Sequence, residues 1–152
     1  VNDVEFLADQ LQRAYRGPAW HGPAVREVLD GVGAMQASAK PAAGGHSIWE
    51  IVTHMGAWIS EVKNRLGREA VELSGPQDWP PVDGSSEAAW QQTLSALDQE
   101  QEQLRSAIAS LPEANLRTGV SGEKYSVRFM LEGVIQHNLY HAGQIAMLKK
   151  MS

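Results

Sequence analysis

Two histidines four residues apart, His137 and His141, stand in the segment Ser126 to Met151, which reads SVRFMLEGVIQHNLYHAGQIAMLKKM. On a helix that spacing sends both imidazoles from one face, a turn apart, where they can share one metal ion. Val127, Met130, Leu131, Val134, Ile145 and Leu148 recur at helical spacing as one apolar stripe, and both histidines fall inside or beside it. The imidazoles therefore point toward a core, where each unsatisfied ring nitrogen costs about 1 kcal/mol or more. A shared metal would satisfy one nitrogen of each ring. Hydrogen bonds to core neighbours would serve as well, and for an isolated HxxxH that plainer reading is the commoner one.

A third histidine, His54, lies on the shoulder of another strongly patterned segment, near Trp58. One histidine and an HxxxH pair on two facing helices supply three neutral nitrogens, the ligand count of an open metal site that keeps a position for water or substrate. Imidazole ligation suits Zn, Ni, Cu, Co or Fe(II) alike. The chain has no cysteine, which excludes disulfides, thiolate zinc sites and a cysteine nucleophile. Asn138, Leu139 and Tyr140 separate the pair, so the glutamate of an HExxH protease is missing, as is the Glu and ExxH set of a di-iron bundle. Glu50, one turn before His54, and Glu61 are the nearest acidic candidates for a base or for an outer partner of the ligands, against the plainer reading of solvated carboxylates.

The elements that must position these groups are helices. Asp3 to Tyr15 spaces Val4, Leu7, Leu11 and Ala14 for a helix, with Asn2 or Asp3 as N-cap. Two Gly-Pro pairs in RGPAWHGPA break it, and Pro23 can open a short helix carrying Val25, Val28, Leu29 and Val32. His21, beside Trp20 in that loop, is a further polar group that could approach a site, although a plain loop histidine is the simpler reading. Ala37 to Gly45 is a small-residue, turn-rich connection. Ser47 and Glu50 make a capping box for a strong helix running to Gly67, with Ile48, Ile51, Val52, Met55, Ile59, Val62 and Leu66 on its apolar side. Leu73 to Ser85 holds too many glycines and prolines for a helix and predicts a long connection over one end of the fold, able to cover a site. Ser86 to Leu111 is the third long helix, its stripe interrupted by Gln101 and its end marked by Pro112. Glu113 to Tyr125 connects it to the histidine helix. This pattern predicts an all-α four-helix bundle in one domain, residues 1–152.

Composition agrees: 43% hydrophobic and 20% charged residues describe a globular chain. A net charge of −5 without a lysine and arginine stripe argues against a nucleic-acid partner. The acidic start VNDVEFLADQLQR does not resemble a signal peptide, and no apolar run reaches the roughly 18 residues of a membrane span. A cytoplasmic protein without a membrane partner is the expectation. Gly143, inside a helix at a cost of about 1 kcal/mol, suggests close approach of another backbone.

The runs HSIWEIVTHMGAW (His46 to Trp58) and HNLYHAGQI (His137 to Ile145) resemble the DinB-like family of four-helix-bundle metalloproteins, which includes thiol-dependent S-transferases. The match in helix order and spacing covers nearly the whole chain, and HxxxHxGQI is fairly specific. The resemblance implies that His54, His137 and His141 bind one divalent metal, zinc or nickel. It further implies an enzyme whose metal activates a low-molecular-weight thiol (S-transferase) or water (hydrolase) against a small electrophilic substrate. The competing class is a non-catalytic metal-binding or dimerising bundle of the stress-response type. The family also points to a homodimer, and Trp49 and Phe129, both outside their helices' apolar stripes, would supply its surface.

Overall fold

The computed structural model describes residues 1–152. Its elements are α1 (Asp3–Arg16), α2 (Val25–Val28), α3 (Ala34–Ser38), α4 (Ile48–Arg65), α5 (Glu87–Ala109) and α6 (Val127–Met151), with short 3-10 turns at Gly75–Gln77 and Glu113–Arg117. There is no β-sheet, and no helix is long and apolar enough to cross a membrane.

The long helices start where capping chemistry allows. Asn2 accepts from the Glu5 amide while Glu5 reaches back to the Asn2 amide, and Ser47 with Glu50 repeats the arrangement for α4. Ser86 and Ser126 cap α5 and α6 through the amides of Ala89 and Phe129. Each cap is worth about 1 kcal/mol. The four long helices close a ring in which α1 and α4 each pack on both α5 and α6. Because α1 and α4 sit across the ring from each other, the chain between them is long, and α2 and α3 lie within it.

One apolar cluster fills the ring, including Leu7 and Leu11 of α1, Met55 and Ile59 of α4, Leu104 and Ile108 of α5, and Leu131 and Ile145 of α6. Burying each such side chain stabilises the fold by roughly 1.5–3 kcal/mol. Gln101, which interrupts the α5 stripe, is buried as well: its amide donates to the Leu11 carbonyl at 3.3 Å and accepts from Asn138 at 3.4 Å.

Three expectations are corrected. Trp49 is not a surface aromatic but 2% exposed, its indole N–H donating to Thr93 Oγ1 at 3.0 Å and its ring 5.2 Å from that of Trp90. The reason is α3, which packs against both α4 and α5 and widens the buried arc of α4 beyond a single stripe. Ala37 and Ser38, assigned above to a connection, are the last residues of that helix. Gly143 meets no neighbour, since a Cβ built on it would find nothing within 4 Å. Phe129 is exposed, as its position outside the α6 stripe predicts.

Candidate metal centre

α4 carries His54 and α6 carries His137 and His141 to one place between the two helices, which pack against each other. His54 and His141 are buried and His137 is half-buried. The three Nε2 atoms converge: His137 Nε2 lies 3.2 Å from His54 Nε2 and 3.0 Å from His141 Nε2. Zinc–nitrogen bonds of about 2.05 Å at tetrahedral angles set ligand nitrogens roughly 3.3 Å apart, so these separations are close to those of three corners around one ion.

The opposite edges of the rings determine which nitrogens carry lone pairs. His54 Nδ1 is 2.7 Å from the backbone carbonyl of Asp78, an acceptor only, so the proton of the neutral ring sits on Nδ1 and Nε2 is a lone pair. His141 Nδ1 is 2.7 Å from Gln144 Oε1, with the same consequence. His137 Nδ1 is buried with no partner. Hydrogen bonding among the three rings therefore cannot satisfy the cluster: one Nε2–H of His137 can serve one lone pair and leaves the other facing it. A cation at the common point satisfies all three lone pairs at once, so the donor set fits a divalent metal.

Electrostatics keep the His137 and His141 rings in the ligating form. Burial first, and then the neighbouring His141 and His54, push the His137 imidazole down to about 4. Burial likewise holds His141 below its ordinary value, against the opposing effect of the hydrogen bond it donates to Gln144. Desolvation disfavours the imidazolium, and like charges one ring apart disfavour it further.

The glycine- and proline-rich connection between α4 and α5 lies over this cluster as a strap. Asp78 accepts from His54 with its carbonyl and from the Trp58 indole N–H with Oδ1 at 2.7 Å. Trp79 is stacked between two imidazoles, 3.5 Å from His46 and 3.9 Å from His54, both nearly parallel to it. Two clefts flank the cluster. One, of about 450 Å³, runs from His54 and His137 past Trp58 to Tyr125. The other borders His141, His46 and Trp79.

The two carboxylates named from sequence are engaged elsewhere. Glu50 closes the Ser47 capping box and pairs with Lys40 at 2.6 Å, and its nearest imidazole is His46, at 3.7 Å. Glu61 is buried and holds Arg65 at 3.0 Å and the Val71 amide at 2.8 Å, with no hydrogen bond to the three histidines. His21 is exposed and lines a separate depression with Arg13 and Leu139. Sequence reasoning missed Asp78, Trp79 and Gln144. Gln144 was within reach, because i and i+3 on a helix share a face and it follows His141 at that spacing. Asp78 was not: it acts partly through a backbone carbonyl, which every residue type supplies.

The family model of the DinB superfamily matches residues 9–145, a span that contains most of α1, all of α4 and α5, and the three histidines. No curated protein and no solved structure matches the chain significantly. With the helical ring, the order of its elements and a match over most of its length in agreement, the chain belongs to the DinB superfamily.

Proposed function

We propose that the protein is a divalent-metal-dependent enzyme in which His54, His137 and His141 hold zinc or nickel and a thiol or water attacks a small electrophilic substrate. The observation that carries this reading is the convergence of three Nε2 lone pairs with only three protein ligands, beside a cleft large enough for a small molecule. A bound divalent ion would act as a Lewis acid that lowers the pKa of a coordinated thiol or water to neutral pH.

The chain's own residues do the rest. Asp78 and Gln144 hold His54 and His141 in the tautomer that presents Nε2. Trp79, stacked on His54, shields that ring from solvent and fixes its plane. Asp78 is the one carboxylate among the residues lining the 450 Å³ cleft, which makes it the proton acceptor when the S–H or O–H of the nucleophile ionises. The absence of cysteine fits a thiol brought from outside.

Cobalt substitution tests the reading. Adding a low-molecular-weight thiol such as 2-mercaptoethanol to the cobalt protein should produce a sulfur-to-cobalt charge-transfer band in the near ultraviolet. A d–d spectrum that neither thiol nor pH alters would mean a closed coordination shell and would favour a structural metal.

The second reading, a non-catalytic pairing bundle, draws on exposed Phe129, Tyr140 and Met147 of α6, which lie near one line along the helix. Pairing of two copies along that line suits either reading. Light scattering at micromolar concentration decides it: twice 16.6 kDa supports the pair and 16.6 kDa sinks it.

A further inference from the structure

We infer that the cleft on the His54 and His137 side of the cluster selects a neutral, apolar, ring-sized portion of the substrate, and that Gly133 keeps it open. This names the substrate class for the metal-dependent reading and rests on it; the selectivity of the cleft itself does not.

The walls are Trp58, Val62, Phe129, Met130 and Val134, with Tyr125 at the far end. The volume of about 450 Å³ falls in the range of small-molecule sites. One cation, Arg65, lines the cleft and at first sight would anchor a carboxylate or phosphate. Its nitrogens are already taken: Nε donates to Glu61 at 3.0 Å, Nη1 to the Tyr125 hydroxyl at 2.6 Å and Nη2 to the Val71 carbonyl at 2.7 Å. The side chain of Glu61 is 3% exposed, so its charge is held against Arg65 rather than shared with water. Glu123 Oε1 lies a further 3.5 Å from Nη1, so an anionic ligand would compete for a guanidinium already facing two carboxylates, Glu61 and Glu123, and would meet a third, Asp78, in the wall. Beyond the His54 and His137 end, where a bound divalent ion would stand, the cleft therefore offers aromatic and aliphatic surface with no uncommitted positive charge.

Gly133 stands one turn before His137 in the middle of α6, where glycine costs about 1 kcal/mol against alanine. No close packing within the chain explains it, because a Cβ there would meet nothing within 4 Å. It lines the cleft, so any side chain at this position would project beside free space that the substrate is to occupy.

Two dyes with the same ring system test this on the full chain in its metal-free form, where no zinc can draw the anion, and again with zinc bound: neutral N-phenyl-1-naphthylamine and its sulfonated counterpart, 8-anilino-1-naphthalenesulfonate. The neutral dye should bind once per chain and about 10-fold or more tighter than the anion, the discrimination expected from one unpaired charge at a desolvated wall. Gly133→Phe should weaken the neutral dye by at least the same factor, with zinc at one per chain. Gly133→Ala should weaken it less, which separates filling of the cleft from misfolding. Equal or tighter binding of the sulfonate by the metal-free chain, or neutral-dye binding unchanged in folded Gly133→Phe, overturns the inference while the zinc content still supports the metal reading. Dye selectivity in a protein that takes up no zinc overturns the metal reading and leaves the selectivity of the cleft standing.

Discussion

His54 and Asp78 are joined twice: the ring Nδ1–H donates to the Asp78 carbonyl at 2.7 Å and lies 3.2 Å from its Oδ1. The same Oδ1 accepts from the Trp58 indole, so one strap residue orients a histidine of the cluster and ties the strap to α4. Outer partners of this kind typically contribute 10–100-fold to metal affinity. Asp78→Ala keeps the carbonyl and loses the carboxylate, so zinc affinity should fall about 10-fold, at the lower end of that range. Asp78→Asn, which restores an acceptor for Trp58, should recover most of it. Competition with a chromophoric chelator measures both, and an unaltered affinity in the alanine variant would refute the role.

Removing a ligand should have a larger effect than removing its support. His137→Ala deletes the nitrogen that lies within 3.2 Å of both other Nε2 atoms and should abolish stoichiometric metal. Gln144→Leu, which leaves the ligand but not its acceptor, should weaken binding roughly 10–100-fold. A full equivalent of metal in His137→Ala by elemental analysis would show that the three-histidine assignment is wrong.

Glu61 and Arg65 form a buried ion pair, their side chains 3% and 5% exposed. Truncating Glu61 leaves the buried Arg65 facing only the part-exposed Glu123, 3.5 Å from Nη1, at a cost of about 3 kcal/mol, the lower end of the range for a broken buried pair. Glu61→Ala should therefore lose that much stability in denaturant titrations, while metal content measured well below the midpoint stays at the wild-type level. A loss under about 1 kcal/mol would mean that water reaches Arg65.

Tyr15 supplies an alkaline limit to stability. Its hydroxyl is raised above the ordinary value of 10 by burial first and then by Asp98, which accepts its hydrogen bond at 2.6 Å. The unfolded tyrosine ionises near pH 10 and the folded one does not, so this contribution is complete below pH 10 and is lost above it. The slope approaches about 1.4 kcal/mol per pH unit for the single proton released on unfolding. Tyr15→Phe should lower stability near neutrality by roughly 1 kcal/mol and flatten the decline above pH 10. An identical alkaline slope in the variant would remove Tyr15 as its source.

Gly143 is exposed on α6 with open space where a Cβ would stand. Gly143→Ala should raise stability by about 0.5–1 kcal/mol through helix propensity alone, with metal content unchanged. A destabilised variant would indicate a neighbour outside the chain.

The long helices and the histidine face were legible because local rules govern them. The capping boxes of Asn2 and Ser47, the apolar spacing and the breakers at Gly17, Pro18 and Pro112 act within a few residues of where they stand. His137 and His141 share a face by helix geometry alone, whereas their union with His54 stayed one candidate reading that the resemblance strengthened, since spacing cannot state which helices are neighbours. Three features were decided only by tertiary structure. Trp49 is buried because α3 folds back over α4 and α5; Glu61, already the i,i+4 partner of Arg65 on α4, binds the Val71 amide because the chain after α4 turns back on it; and Asp78 reaches His54 through a strap with almost no regular structure. Each depends on where a connection goes in space, and a connection of glycines and prolines carries no periodic signal from which its path can be read.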